Sequence, residues 1–251
     1  MSERGIVWLS PADLPNEFPD VETALREPDG LLAAGGDLSA DRLLTAYRRG
    51  IFPWYDAGQP ILWWAPDPRC ILRPADLRIS RRVAQYARKS TLALKFNRAF
   101  GDVIRACAGE RRSQQDTWIT AEMISAYEQL HASGWAHSIE VWDGRQLVGG
   151  IYGVCIGRVF FGESMFSAVD NASKFALLGL SSHMLANGLE LIDCQVVSQH
   201  LVTLGATTVP RQEFTAVLAE LCSPATPCSG WPSESRPVAE SLHNWRSAAL
   251  H

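Results

Sequence analysis

The sequence has no long uncharged apolar run: no window approaches the roughly 18 residues that a membrane-spanning helix needs. A membrane partner is therefore excluded and a cytosolic protein is expected. None of its six cysteines (Cys70, Cys107, Cys155, Cys194, Cys222, Cys228) forms a C-x-x-C pair, so neither a zinc knuckle nor a disulfide framework is indicated, and buried free thiols are expected. The histidines lack metal-ligand spacing, no Walker A string is present, and no G-x-G-x-x-G follows a strand pattern. Phe166 stands where a G-x-S-x-G elbow would need glycine, which speaks against a Ser-His-Asp hydrolase. These absences leave chemistry with no metal and no cofactor.

What is present is ordinary globular composition: 251 residues, 47% hydrophobic and 20% charged. The net charge of −4 conceals a segregation. Residues 69–112 hold 12 Lys+Arg against 3 Asp+Glu, a net +9, which leaves 11 basic against 24 acidic residues elsewhere, a net −13. One face can thus attract phosphates while the rest keeps the protein soluble, although acidic partners elsewhere in the fold would produce the same count.

The first third is rich in Gly, Pro and Trp, with one amphipathic helix expected over 39–49, capped by Asp37 or Ser39 and ended by Gly50. Residues 1–68 read as a small α+β domain, and 69–251 as a larger domain. Helices are expected over 80–89, 96–108 and 120–133. From His137 the period changes to two, with Asp143-Gly144 as a hairpin turn, and three antiparallel strands follow through Glu163. A helix over 173–186, a strand over 189–197, a helix over 212–222 and an irregular tail after Ser223 complete the reading. Three strands, a helix and a strand suit a mixed α/β sheet.

Two strings stand out as chemical candidates. In Leu191-Ile192-Asp193-Cys194-Gln195, alternation places Asp193 and Gln195 on one face, away from Cys194. Polar groups on an apolar strand need partners or a ligand, since unpaired burial costs about 1–3 kcal/mol each, and a core hydrogen-bond network would also satisfy them. Gly162-Glu163-Ser164-Met165-Phe166-Ser167 ends a strand and opens a loop, where functional groups are often displayed.

Read in order, several strings resemble the bacterial leucyl/phenylalanyl-tRNA–protein transferase family. They are Pro28-Asp29-Gly30-Leu31-Leu32-Ala33-Ala34-Gly35-Gly36-Asp37-Leu38-Ser39, Tyr47-Arg48-Arg49-Gly50-Ile51-Phe52-Pro53-Trp54, Trp63-Trp64-Ala65-Pro66-Asp67-Pro68-Arg69, Thr117-Trp118-Ile119, Ala136-His137-Ser138-Ile139-Glu140-Val141-Trp142, Asn171-Ala172-Ser173-Lys174 and the two candidate strings above. The resemblance implies a small N-terminal domain before a domain with the GCN5-related N-acetyltransferase fold. It also implies an aminoacyltransferase that moves leucine or phenylalanine from aminoacyl-tRNA to proteins beginning with Arg or Lys, marking them for degradation. Asp193 and Gln195 match the pair that activates the amine, with Gln195 as an aligner and Asp193 as its electrostatic support; Glu163 would attract the cationic acceptor. Ile151, Phe160, Met165 and Leu177 would form the side-chain pocket, with Phe166 and Ser167 beside it. Trp54 and Trp118 would stack on the terminal adenosine, and Arg81, Arg82, Arg88 and Lys89 would hold the tRNA backbone. The competing readings are an acyl-CoA or peptidoglycan-type transferase on the same fold, and a non-catalytic tRNA-binding protein.

Overall fold

A computed structural model describes residues 6–110 and 119–249. The Gly/Pro-rich start folds as a four-stranded sheet, β1 (Val7–Leu9), β2 (Leu31–Gly35), β3 (Phe52–Pro53) and β4 (Leu62–Trp64), in the order β1-β2-β4-β3. Between β2 and β3 runs α1 (Ala40–Arg48), whose inward face carries Leu43, Ala46 and Tyr47. Ser39 N donates to Asp37 Oδ1 at 2.7 Å ahead of it, and Gly50, at φ +75°, turns the chain out of it into a conformation that L side chains resist.

From Arg69 the chain builds an eight-stranded sheet: β5 (Arg69–Leu72), β6 (Ala93–Phe96), β7 (Ala136–Asp143), β8 (Gln146–Ile156), β9 (Val159–Ser167), β10 (Leu191–Gln195), β11 (Thr207–Val209) and β12 (Arg236–Pro237). Their order is β11-β5-β10-β9-β8-β7-β6-β12, and only β9 and β10 run parallel. The helices are α2 (Arg81–Lys89), α3 (Phe100–Glu110), α4 (Ala121–Ala132), α5 (Ala172–Ala186), α6 (Gln199–Thr203), α7 (Arg211–Leu221) and α8 (Val238–Ala248). One apolar core joins the N-terminal sheet, α1, α3 and α4 to one face of the large sheet. A second, built from α2, α5 and α8, covers the opposite face. The architecture is mixed α/β, with two mixed sheets.

Four expectations need correction. The string Gly162 to Ser167 does not open a loop: β9 runs on through Ser167, because Ser164, Met165, Phe166 and Ser167 stay paired with β8. The helix expected over 96–108 begins only at Phe100, because Leu94 and Phe96 alternate inward along β6 against β7 and Asn97, at φ +57°, breaks the run. The Glu140 carboxylate then accepts from Arg98 N (3.0 Å) and Ala99 N (3.2 Å), serving backbone donors that open α3. The tail is not irregular: β12 joins the sheet edge and α8 packs on α5 and α2, with Trp245 Nε1 donating to Pro74 O at 2.9 Å. Nor are all six cysteines free. Cys155 and Cys228 form a disulfide across 73 residues, because the tail returns along β8 through an Ile156–Pro227 bridge that no local spacing announces.

Candidate active site

Asp193 lies on β10 fully buried, and a buried carboxylate requires a cation or several donors. Arg69, the first residue of β5, supplies both: its Nε donates to Asp193 Oδ1 at 2.8 Å and its Nη2 to Oδ2 at 2.7 Å. The third nitrogen, Nη1, donates to Gly50 O at 2.9 Å. The guanidinium sits 4.8 Å from the Phe52 ring centroid and 4.7 Å from that of Phe214, so its apolar surface is packed as well.

The pair fixes the next residues. Between Asp193 and Gln195 the register with β5 slips, Gln195 takes φ +61°, and its backbone N donates to Asp193 Oδ1 at 2.9 Å. This kink turns the Gln195 side chain toward β9, where Nε2 donates to Glu163 Oε1 at 3.0 Å. Strict alternation would not have produced that contact. The strand is also shorter than the expected 189–197, since the kink releases Val196 and Val197 to solvent.

Glu163 is buried beneath two tyrosines. Tyr47 of α1 donates to Oε1 at 2.7 Å, Tyr127 of α4 donates to Oε2 at 2.9 Å, and the two hydroxyls are bonded to each other. Burial pushes the carboxyl up to about 7, against the lowering effect of the donors Tyr47, Tyr127 and Gln195. Proton counting agrees. Three oxygen–oxygen contacts close a ring, and two tyrosyl protons alone leave one contact without a hydrogen, whereas a protonated Oε2 completes it by donating to Tyr127, whose own hydrogen then turns to Tyr47. Burial first, and then the Glu163 charge, hold both tyrosines well above their ordinary value, so they remain donors.

Beside this group lies a cavity of about 220 Å³, at the point where β9 and β10 part after the Asp193–Phe161 pairing. Ile151, Met165, Leu177, Ile192 and Leu201 give it apolar walls, Gly162, Glu163, Ser164, Asp193 and Cys194 line it near the polar centre, and Ser198 and His200 of the segment after β10 line the rest. Of the expected pocket residues, Ile151, Met165 and Leu177 line this cavity. Phe160 does not: its fully buried ring belongs to the core behind, 6.4 Å from Trp231. Phe166 points into the core on the other face of the sheet, beside Gly150. Ser167 closes the turn into α5, accepting from Ser173 N at 3.1 Å and donating to Val169 O at 2.9 Å. Trp54 is 43% exposed directly after β3, its ring 5.7 Å from Trp64. Trp118 lies outside the described residues.

On α2, Arg81, Arg82, Arg88 and Lys89 are all exposed, and none takes part in an ion pair among the described residues. Ala84, which interrupts the basic run in sequence, belongs to the inward face and leaves the outer face continuous apart from Gln85 and Tyr86. Sequence reasoning missed Tyr47, Tyr127 and Arg69 as members of the centre. The signal for Arg69 was the demand of a strand-borne Asp for a cation; the tyrosines gave none beyond their inward helical spacing.

A family model described as leucyl/phenylalanyl-tRNA protein transferase matches residues 71–219, and one for the N-terminal domain of that transferase matches 36–67. A leucyl/phenylalanyl-tRNA–protein transferase of Pseudomonas syringae pv. syringae (strain B728a) is 54% identical over 85% of this chain and 93% of that protein. One of Azotobacter vinelandii is 55% identical over 80% of this chain and 89% of its own. A solved structure of a functionally unknown conserved protein from Staphylococcus epidermidis ATCC 12228 is similar only at TM-score 0.38 and 8% identity, over 72% of this chain and 68% of that one. At more than half of the chain matched by the first model, and above half identity over most of its length, the chain belongs to the leucyl/phenylalanyl-tRNA–protein transferase family.

Proposed function

We propose that this chain transfers leucine or phenylalanine from aminoacyl-tRNA to the α-amino group of proteins beginning with Arg or Lys, in the cytoplasm, as a tag for degradation. The order of three antiparallel strands, helix and parallel strand over residues 136–195 supports an acetyltransferase-like domain over 69–251 and a small N-terminal domain over 1–68. The observation that carries the proposal is Glu163, a carboxyl near 7 held by two tyrosines and Gln195 where an apolar cavity meets the polar centre.

An aminoacyl ester is already activated, so an oriented amine attacks its carbonyl carbon without a covalent enzyme intermediate. A protein α-amino group titrates at about 7.7–8.0, close enough to Glu163 for the proton to move with little cost in either direction. In this reading the cavity holds the leucyl or phenylalanyl side chain, and Gln195, tied through Nε2, presents its amide oxygen to the amine. Glu163 accepts the amine's proton and returns it to the ribose oxygen as the carbon–oxygen bond breaks. Asp193, neutralised by Arg69, shapes the strand rather than taking a proton. Trp54 and Trp118 would stack on the terminal adenosine, and Arg81, Arg82, Arg88 and Lys89 would hold the tRNA backbone.

The test is a transfer assay with charged leucyl-tRNA and an Arg-starting peptide, with acetyl-CoA as the alternative donor. Because Glu163 acts ionised, the rate should rise with pH through about 7. Glu163→Gln should remove that rise and lower kcat by about 10²–10⁴-fold with tRNA binding retained. A Glu163→Gln enzyme within a few fold of the parent would take the proton away from this residue, and transfer from acetyl-CoA alone would replace the donor.

A further inference from the structure

Ser164 is a buried residue, 9% exposed, whose Oγ has no hydrogen-bond partner among the described residues. Its place follows from the slip between β8 and β9. Glu163 is the residue left over there and Ser164 opposes Tyr152, so two consecutive residues face one side of the sheet instead of alternating. Tyr152 lies edge-on to Tyr127, 5.9 Å between ring centroids, and Tyr127 donates to Glu163, so that side is the side of the tyrosines. Three apolar walls of the cavity, Ile151, Leu177 and Ile192, belong to the core on the opposite face. The cavity therefore passes through the gap that the parting of β9 and β10 opens, with Glu163 and Ser164 lining it on the tyrosine side. Of the buried polar atoms left without a partner among the described residues, Ser164 Oγ is the one whose residue lines it.

A buried hydroxyl that makes no hydrogen bond lowers stability, and alanine in its place does not. Such a group calls for a reason, and the transfer set out above supplies one. As the amine attacks, the ester carbonyl oxygen gains charge. Glu163 carries the proton and Gln195 faces the amine, so this oxygen is left without a donor. With the leucyl or phenylalanyl side chain in the apolar part of the cavity, the carbonyl carbon, one bond from the carbon that bears that side chain, lies in the gap.

We propose that Ser164 is a further catalytic residue, donating its hydroxyl hydrogen to the carbonyl oxygen of the aminoacyl ester as that oxygen becomes an oxyanion; this role rests on the aminoacyl transfer proposed above. The amine nitrogen bonds to the carbonyl carbon, and the π pair moves onto the oxygen, where the Ser164 hydrogen meets it without being transferred. When the carbon–oxygen bond to the ribose breaks, the pair returns, the carbonyl re-forms as that of an amide, and Ser164 is unchanged. A donor held on a strand, with no competing partner among the described residues, meets the charge with little reorganisation, which is the condition for a large effect.

The experiment measures transfer from leucyl-tRNA to an Arg-starting peptide by the full chain, with Ser164→Ala and Ser164→Cys beside the parent. Ser164→Ala should lower kcat by about 10²–10³-fold, the effect of removing one oxyanion donor, with the KM for charged tRNA near the parent value. Its thermal midpoint should stand at or above the parent's, because an unpaired buried hydroxyl is lost. The rise of rate with pH through about 7 should persist, because Glu163 is untouched. Ser164→Cys, a weaker donor of similar size, should fall between the two, and it carries the comparison if alanine fails to fold. A kcat within a few fold of the parent overturns the proposal. So does a rise in KM at unchanged kcat, which places the hydroxyl on the ribose or the tRNA body, or a midpoint that falls together with the rate, which makes the hydroxyl structural. A parent that transfers from no charged tRNA sinks the aminoacyl transfer itself, whereas an active parent matched by Ser164→Ala sinks this role alone.

Discussion

Arg69 holds one end of the centre by three means at once: a two-pronged pair with Asp193, a bond to Gly50 O, and two aromatic rings on its faces. Replacing it by lysine keeps the charge and loses the fork, which leaves part of the Asp193 carboxylate unmet. Removing one partner of a buried pair costs about 3–5 kcal/mol, so Arg69→Met should lower the thermal midpoint strongly and Arg69→Lys less. If Arg69 acts through Asp193 and Gln195, Arg69→Lys should reduce kcat while leaving the KM for charged tRNA near the parent value; an equal rise in KM would place the arginine on the tRNA instead. The sequence made Asp193 and Gln195 visible as polar residues on an apolar strand. It hid Arg69 inside a count of positive charges, because counting does not separate a buried cation from a solvated one. Glu163 was visible only in a string read as a strand end; it lies within β9, and the burial that pushes it up to about 7 is made by elements whose tyrosines are 116 and 36 residues away in the chain.

At the scale of elements, what places Glu163 is an irregularity shared by β8 and β9. Their register slips between Tyr152 and Gly153, which faces Gly162. A Cβ on Gly153 would stand 2.1 Å from Phe161 O and 2.7 Å from the Phe160 ring, so the strand could not keep its path. On Gly162 the nearest atom would be Asp193 O at 3.4 Å, an ordinary contact. Gly153→Ala should therefore cost about 1–3 kcal/mol, the range of forced overpacking, and slow transfer by moving Glu163; Gly162→Ala should unfold near the parent midpoint. Denaturant titration of both variants checks the contrast, and equal midpoints would remove the bulge as a constraint. The hairpin at Asp143-Gly144 and the helix before β10 were legible because turn chemistry and apolar spacing are local. The start of α3, the bend at Gln195 and the ordered tail were not: each depends on a distant partner, namely Glu140, Asp193, and the α5 and α2 surface that receives α8.

Across the whole molecule, the +9 segment divides into cations with different duties. Arg69 is buried against Asp193, and Arg105 is tied to Glu128 at 2.8 Å and Asp102 at 3.4 Å, so neither is free to meet a phosphate. The four cations of α2 stand exposed on a helix whose inner face, Val83, Ala84 and Ala87, is anchored in the core. A polyanion gains most where cations are close together and not already neutralised, and the remaining net of −13 should steer it toward this face and away from others. Each phosphate deprived of its cation lowers the dependence of log K on log salt by about 0.7–0.9, so replacing Arg81, Arg82, Arg88 and Lys89 together should flatten the slope by about 3. Filter binding of charged tRNA across a salt series measures that slope for parent and variant. The same variant should recover much of its transfer rate at low salt, because the centre at Glu163 is untouched. An unchanged slope would move the tRNA to another surface, and the segregation of charge along the chain would then have to answer to something else.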